Sequence, residues 1–438
     1  MKLLALDVGS SSVKSAILRN GRIAGRIVRA AFATRREGVR VEVDGRSILK
    51  AVRDAIGAVG KEAKSVDAVG LTVMAPSWVA MDHEGEPLTP VITHQDRRSV
   101  EIARELEKRV GKQRHLKLAG NRPFPGGISS TTWAWFLKNE PGVMKRADLC
   151  GHLNTFLHRQ LTHARVTDPS NASFMGFYST LDQGGWSDEL CDAVGIKRHR
   201  LPQVVGAEGV GGMIVRSAAG RFGLTHGTPM VVGCMDGSAP ILLAGNEPGQ
   251  LVNVSGSTDV LALCTDRPRP HENLLTRAVG VGKRWLSVST LAAAGSALDW
   301  AHQTFFHEMP SARFYALISK IAGGIKNSDP GGGVEFENYL AGSRTSLEQR
   351  NASFTGLSLA SSREDMLRAI LRSLARESAE RLKLLADVNT VRMRRQVLLT
   401  GGVQGGLSKL LHRWWPGRWT FKAEEEATLR GVWKLADS

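Results

Sequence analysis

The sequence predicts an α/β protein made of two domains with similar architecture. Its 438 residues exceed what one ordinary core accommodates. Apolar strand segments alternate with amphipathic helices, which is the pattern of α/β proteins. A strand–polar turn–strand pattern near the start occurs again at 251–263, with a similar pattern but different residues. We therefore expect two domains, 1–242 and 243–438.

The first elements follow from local patterns. The strand MKLLAL leads through a small polar turn into the strand VKSAIL, and Asn20-Gly21 suits a type I′ hairpin to a third strand. The chain thus opens as a three-stranded antiparallel meander. Residues 46–59 have the apolar spacing of an amphipathic helix, and 66–74 form a buried strand.

The second half repeats this order. After the strand–turn–strand of 251–263 we predict strands at 275–282 and 284–292 and a long helix near 362–388. A further strand, 395–400, ends on Gly401 and Gly402.

Composition excludes several protein classes. No stretch approaches the ~18 apolar residues of a membrane span, and the first apolar run is too short for a signal peptide. The 4 Cys are scattered without a CxxC pair, so we expect a reducing cytoplasm and neither a disulfide framework nor a zinc knuckle. The 12 His contain no close ligand pair, so we expect no structural metal.

The chain is strongly basic, with 58 Lys+Arg against 42 Asp+Glu and a net charge of +16. This charge is compatible with a nucleic-acid partner or with a generally basic surface. The basic residues form short clusters at 108–117, 196–200 and 391–395, without a recognition helix or zinc finger. We favour the basic surface and expect neither a nucleic-acid nor a membrane partner.

The polar turns are candidate phosphate sites. Small residues let backbone N–H groups converge on an anion, and Lys14 adds a charge. Asp7 can hold Mg²⁺ or its bound water. A plain solvated hairpin turn is the alternative, but the second polar turn and the Gly pair favour phosphate. The predicted phosphate-binding residues are Asp7, Gly9, Ser10, Ser11, Ser12, Lys14, Ser255, Gly256, Ser257 and Thr258.

Asp236 follows an apolar strand and precedes a predicted helix, in the segment GCMDGSA. Reactive groups in α/β folds lie beyond such strand ends, so this carboxylate is a candidate general base for phosphoryl transfer. On local sequence, a cap for the following helix is the alternative.

The chain resembles the FGGY carbohydrate kinases over nearly its whole length. The segments that carry the resemblance are collinear: LDVGSSSVK, GISSTTWAWFLKNEP, TDPSNASFMGFYSTLDQGGWSDELCDAVGI, MDGSA, VSGSTDV, ASFTGLSLASSREDMLRAIL and LLTGGVQGG.

The resemblance implies two actin-like ATPase (ribonuclease H-like) domains with a catalytic cleft between them. It implies ATP and Mg²⁺ as cofactors, Asp236 as catalytic base, and Asp7 and Asp236 near the metal. Dimers are common among relatives, so the resemblance also allows a homodimer. Adenosine binding falls to Gly401, Gly402, Val403 and Gln404.

The sugar-contacting positions depart from the family pattern. Xylulokinase-like members carry Gln-Met-His-Gly where this chain has Met74, Ala75, Pro76 and Ser77, and a Trp-x-Asp-x-Arg stretch keeps only Asp96 and Arg98. We take these six residues as substrate-binding. The acceptor is predicted as a ketose such as xylulose, with gluconate, ribulose or another polyol as alternatives. A non-catalytic sugar or nucleotide sensor is the alternative of a different class.

Overall fold

The computed structural model describes residues 1–325, 333–401 and 406–437. They divide into two compact units. The first comprises Met1–Pro248, Cys264–Ser287 and Glu426–Ser438, and the second comprises Gly249–Leu263 and Val288–Glu425. Within the described ranges, no helix is both long and apolar enough to cross a membrane.

The strands of residues 1–248 are β1 (Lys2–Val8), β2 (Ser12–Arg19), β3 (Arg22–Ala31), β4 (Arg35–Glu37), β5 (Arg40–Val43), β6 (Ala68–Val73), β7 (Ser77–Met81), β8 (Val91–Thr93), β9 (Leu149–Gly151), β10 (Val166–Thr167), β11 (Gln203–Val204), β12 (Val210–Met213), β13 (Pro229–Val231) and β14 (Cys234–Met235). The helices are α1 (Gly45–Val59), α2 (Val100–Val110), α3 (Lys112–Ala119), α4 (Ser129–Asn139), α5 (Pro141–Arg146), α6 (Leu153–Thr162), α7 (Pro169–Met175), α8 (Asp188–Val194), α9 (Arg216–Phe222) and α10 (Ala239–Leu243).

A seven-stranded sheet organises the first unit, with the order β12-β13-β6-β1-β2-β3 and β14 paired to β6. β1 is antiparallel to β2 and parallel to β6, and β14 is parallel to β6. The predicted opening meander is confirmed. Asn20 and Gly21 both have positive φ, 49° and 73°, as a type I′ turn requires.

Helix α1 confirms the predicted helix at 46–59. Asp44 caps it by accepting a hydrogen bond from the Ser47 amide at 2.9 Å. Its apolar face, which includes Ile48, Val52 and Ile56, is buried in the core beside the sheet. Apolar residues of α1 and of strand β6 thus belong to one buried core.

The remaining strands are β15 (Leu251–Ser255), β16 (Asp259–Thr265), β17 (Leu275–Ala278), β18 (Trp285–Leu291), β19 (Glu335–Glu337), β20 (Ser353–Thr355), β21 (Gln396–Thr400) and β22 (Thr420–Ala423). The remaining helices are α11 (Gly295–Phe305), α12 (Ser311–Gly324), α13 (Arg363–Val388), α14 (Gly406–His412) and α15 (Ala427–Ala436). The strands and the long helix predicted for this half are therefore confirmed.

The second unit repeats the strand arrangement of the first. β15 is antiparallel to β16 and parallel to β21, as β1 is to β2 and β6. The long helix α13 begins in a capping box formed by Ser362 and Asp365. Apolar residues of α11, α12 and α13 contribute to the hydrophobic core of the second unit.

Helix α15 belongs to the first unit. Its residues Leu429, Val432 and Trp433 pack with Leu3 and Leu18 of the sheet in one buried cluster. Gly70 of β6 permits this approach, because a Cβ there would lie 2.3 Å from Val432 Cγ1.

Candidate active site

The site lies at the carboxyl ends of three neighbouring parallel strands. In the sheet register both Asp7 of β1 and Cys234 of β14 are level with Thr72 of β6. Asp236 comes directly after β14, and its amide donates to the Val73 carbonyl at 2.9 Å. The fold thus brings together two acids that are far apart in the sequence.

Asp7 is a buried carboxylate, 8% exposed, and accepts a hydrogen bond from the Thr72 hydroxyl at 3.0 Å. Burial and the negative charge of Asp236 raise the pKa of Asp7 to about 7, against the opposing effects of Thr72 and Lys14. The Asp236 carboxylate is therefore close enough to act electrostatically on Asp7. Such a pair is suited to a cation.

Asp236 is half-buried, and its Oδ1 accepts a hydrogen bond from the Gly237 amide at 2.6 Å. Helix α10 has Ser238, and not Asp236, at its N-cap position. The alternative that Asp236 caps this helix is therefore wrong. Its carboxylate lies at a strand end, where α/β folds place reactive groups.

The first turn is closed by a hydrogen bond from the Gly9 amide to the Ser12 carbonyl at 3.0 Å. Ser10 and Ser11 are exposed. The Lys14 ammonium forms an ion pair with Glu426 at 2.6 Å, with both side chains mostly covered. Lys14 therefore already has a partner. A phosphate bound at this turn would share the Lys14 ammonium with Glu426.

The second turn has its carbonyls occupied. Ser257 O accepts from the amides of Ala294 and Ser296 at the start of α11, at 2.9 and 3.2 Å. Gly256 O likewise accepts from Gly295 N at 3.0 Å. These hydrogen bonds fix the second turn against the start of α11. Thr258 is half-buried and closes the turn by accepting from the Gly256 amide at 2.8 Å.

Gly401 lies directly against the second turn. Its φ is 114°, and a Cβ there would come within 2.1 Å of the Ser255 carbonyl oxygen. Ser255 Oγ is buried without a hydrogen-bond partner in the described part of the chain. The structure thus joins two segments predicted to bind nucleotide. Gly402, Val403 and Gln404 lie outside the described residues.

The predicted substrate residues are buried. The protein interior contains the side chains of Met74, Ala75 and Pro76. The Ser77 hydroxyl donates a hydrogen bond to the Met74 carbonyl at 2.7 Å.

Asp96 and Arg98 form a buried ion pair at 2.8 Å, and Glu42 also binds the Arg98 guanidinium, at 2.6 Å. Asp96 additionally accepts from the Val41 amide at 2.8 Å. Both side chains therefore have partners within the protein, and their contact with a sugar stays a prediction.

Three features of these surroundings were not predicted from the sequence: the Thr72 partner of Asp7, the buried Arg277 near Asp236, and the buried Arg381–Asp259 pair beside the second turn. A polar residue inside an otherwise apolar strand, as in GLTV or LLTRAV, is the signal that could have marked the first two.

Family models match both halves of the chain. The FGGY carbohydrate kinase N-terminal domain matches residues 2–242, and the C-terminal domain matches 251–406. The chain belongs to the FGGY family of carbohydrate kinases. The predicted enzyme class is thereby confirmed.

Relatives of this FGGY chain include a glycerol kinase of Brucella suis, 29% identical over 418 residues that cover 87% of this chain and 78% of the relative. Among solved structures, xylulose kinase from Rhodospirillum rubrum has a TM-score of 0.86 at 21% identity, covering 100% of this chain and 90% of that one. Glycerol kinase from Plasmodium falciparum with ADP has a TM-score of 0.83 at 19% identity, covering 99% and 88%. The predicted two-domain α/β fold of the actin-like ATPase type is confirmed.

Proposed function

We propose that this chain transfers the γ-phosphoryl group of ATP to a hydroxyl of a small sugar or polyol, with Asp236 as general base. The observation that carries the proposal is the half-buried Asp236 carboxylate at a strand end, coupled to the buried carboxylate of Asp7. Asp236 accepts the proton of the acceptor hydroxyl while that oxygen bonds to phosphorus and ADP leaves.

The residues present fit a magnesium ion that arrives with ATP. Mg²⁺ is commonly held by one or two carboxylates together with substrate phosphates and water, and Asp7 and Asp236 supply such a pair. Within the described residues, no cluster of three or more His, Cys, Asp or Glu side chains forms a closed metal cage. When bound, Mg²⁺ neutralises phosphate charge that develops during transfer.

The nucleotide-binding role falls to the two turns. We assign phosphate contact to Gly9, Ser10, Ser11, Ser12 and Lys14 in the first unit and to Ser255, Gly256, Ser257 and Thr258 in the second. Gly401 to Gln404 are assigned to adenosine. The ADP complex of the Plasmodium relative supports nucleotide binding in this fold.

The acceptor is proposed as a ketose such as xylulose, in keeping with the xylulose kinase fold match. Glycerol, gluconate and ribulose are the other candidates, and the glycerol kinase relatives favour testing glycerol early. A cytoplasmic location and a homodimer remain predictions.

The test is ADP release from Mg-ATP over a panel of pentuloses, hexuloses, aldonates, polyols and glycerol. Asp236→Asn should lower kcat by about 10²–10⁴-fold, because a general base is lost, and should leave ATP affinity largely intact. The matched control is Asp266→Asn, which neutralises an exposed acid in the same unit. Full turnover in Asp236→Asn would overturn the proposal, and ATP binding without turnover on any acceptor would favour the sensor alternative.

A further inference from the structure

Arg277 stands at a fixed position in strand β17. The Asn121 side chain accepts from the Thr276 amide at 2.9 Å and donates to the Thr276 carbonyl at 2.7 Å. The Ala278 amide donates to the Ser173 hydroxyl at 3.0 Å. The backbone on both sides of Arg277 is therefore held by buried side chains, which limits where its own side chain can reach.

The Arg277 guanidinium lies along the two residues that follow Asp236. It is 2% exposed, donates to Ser238 Oγ at 3.2 Å, and has the Phe174 ring 6.0 Å away. A Cβ on Gly237 would lie 2.7 Å from its Nη2. The contact with the Asp236–Ser238 segment is thus direct, and the absence of a side chain at Gly237 makes room for it.

Among the acidic side chains near Arg277, Asp236 attracts its charge most strongly. Asp168 is the other nearby acid, but its carboxylate already accepts hydrogen bonds from the Asn154 and Asn171 side chains and from the Ser170 amide. Burial lowers the pKa of Arg277 to about 10, and attraction to Asp236 is the largest opposing effect. The guanidinium therefore stays charged at neutral pH.

We propose that Arg277 is a positioning residue for the reaction: its guanidinium fixes Gly237 and Ser238 and so sets the direction of the Asp236 carboxylate. This inference rests on the proposed function, because it assigns Arg277 a task in placing the general base. A base displaced by about 1 Å can lose on the order of 100-fold in rate. A charged guanidinium has no acceptor atom, so Arg277 cannot take the proton of the acceptor hydroxyl.

The experiment measures kcat and KM for Arg277→Met, Arg277→Lys and Arg277→Ala with the best acceptor of the panel. Arg277→Met should lower kcat about 100-fold with an unchanged KM for ATP. Lys keeps the charge without the planar fork, so Arg277→Lys should be intermediate. Guanidinium ion at sub-denaturing concentration should restore turnover to Arg277→Ala and leave Asp236→Asn inactive. Arg372→Met, which removes another buried guanidinium, is the control that should keep its kcat.

A second variant covers the case in which Arg277→Met does not fold. Gly237→Ala keeps the guanidinium but crowds it, and should also lower kcat. Wild-type kcat in Arg277→Met, or a loss that neither Lys nor guanidinium ion relieves, would overturn the inference. If Asp236→Asn were itself fully active, the proposed function would fail first. If it were inactive while Arg277→Met stayed active, the inference alone would fail.

Discussion

The two strand–turn–strand segments, β1–β2 and β15–β16, share a topology and treat their acidic residue in opposite ways. Asp7, before the first turn, has a single hydroxyl donor in Thr72 and faces a second acid. Asp259, after the second turn, is bound by Arg381 and by the Asn253 side chain at 2.9 Å. His412 extends this second network by bonding to Asn253 at 2.9 Å.

The comparison separates two uses of one framework. Asp259, whose charge Arg381 balances, helps to fix the second turn. A buried acid left beside another acid is unfavourable for folding until a cation arrives, which is common at functional sites. We therefore expect substitutions in the Arg381–Asp259 network to affect mainly stability, and substitution of Asp7 to affect mainly turnover.

The largest expected effect on folding is at the second turn. Arg381→Met leaves the Asp259 carboxylate buried without its cation, so the free energy of unfolding should fall by about 3–5 kcal/mol. Urea denaturation monitored by fluorescence measures this change. Adding Asp259→Asn should recover much of the loss, because neither buried charge then remains.

Arg376→Met on the same helix is the control. Its partner Glu335 is 3.3 Å away and both side chains are nearly half exposed, so the change should cost at most about 1 kcal/mol. Equal effects of the two substitutions would remove the contrast between the turns.

The first turn should show the opposite result. Asp7→Asn should lower kcat at least about 100-fold, or about 2.7 kcal/mol in the barrier, since the cation loses a ligand. Its free energy of unfolding should not fall, because a buried carboxylate beside Asp236 is removed. Steady-state ADP release and urea denaturation of the same samples test both statements. A variant that is active, or one that is inactive because it unfolds, would contradict the comparison.

The smallest effect is a pH dependence of the second network. Burial lowers the pKa of His412 to about 4, so the unfolded chain binds this proton near pH 6.5 and the native protein does not. Stability is fully present above about pH 6.5 and is lost as the pH falls towards 4. Between pH 7 and 5 the loss from His412 should be about 1–2 kcal/mol, allowing for its partial exposure.

The free energy of unfolding of His412→Gln should change less between pH 7 and 5 than that of the unsubstituted protein. Urea denaturation at both pH values measures this difference. His152 and His158, whose pKa values burial also lowers to about 4, contribute equally to both proteins and cancel. If the two proteins lost the same stability between pH 7 and 5, the expected proton uptake by His412 on unfolding would be contradicted.

Local patterns were sufficient for the elements that frame the site. The meander, helix α1 and the strands around both turns depend on apolar spacing and on turn residues such as Asn20-Gly21, all of which are local. Asp7 and Asp236 were identified from strand ends followed by small polar residues. The side chains that contact or lie close to these two acids could not be identified from local patterns.

The partners come from parallel strand pairing and from distant segments. Thr72 meets Asp7 because β1 and β6 are parallel neighbours in a defined register, and a crossover of this kind leaves no local signal. Arg277 approaches Asp236 from a strand that follows it in the chain, and Arg381 reaches Asp259 from a long helix. Likewise, the sequence alone did not establish the internal ion pair between Asp96 and Arg98.

Helix α15 has a consequence for the order of events during synthesis. The chain passes between the two units at 248/249, 263/264, 287/288 and 425/426, so the first unit receives α15 only after the whole second unit has been translated. Until then the apolar surface around Leu3, Ala5 and Leu18 that α15 covers stays open on the nascent polypeptide. The sheet of the first unit is therefore synthesised before the second unit but completed only after it, and its apolar surface is exposed to the cellular environment during that interval.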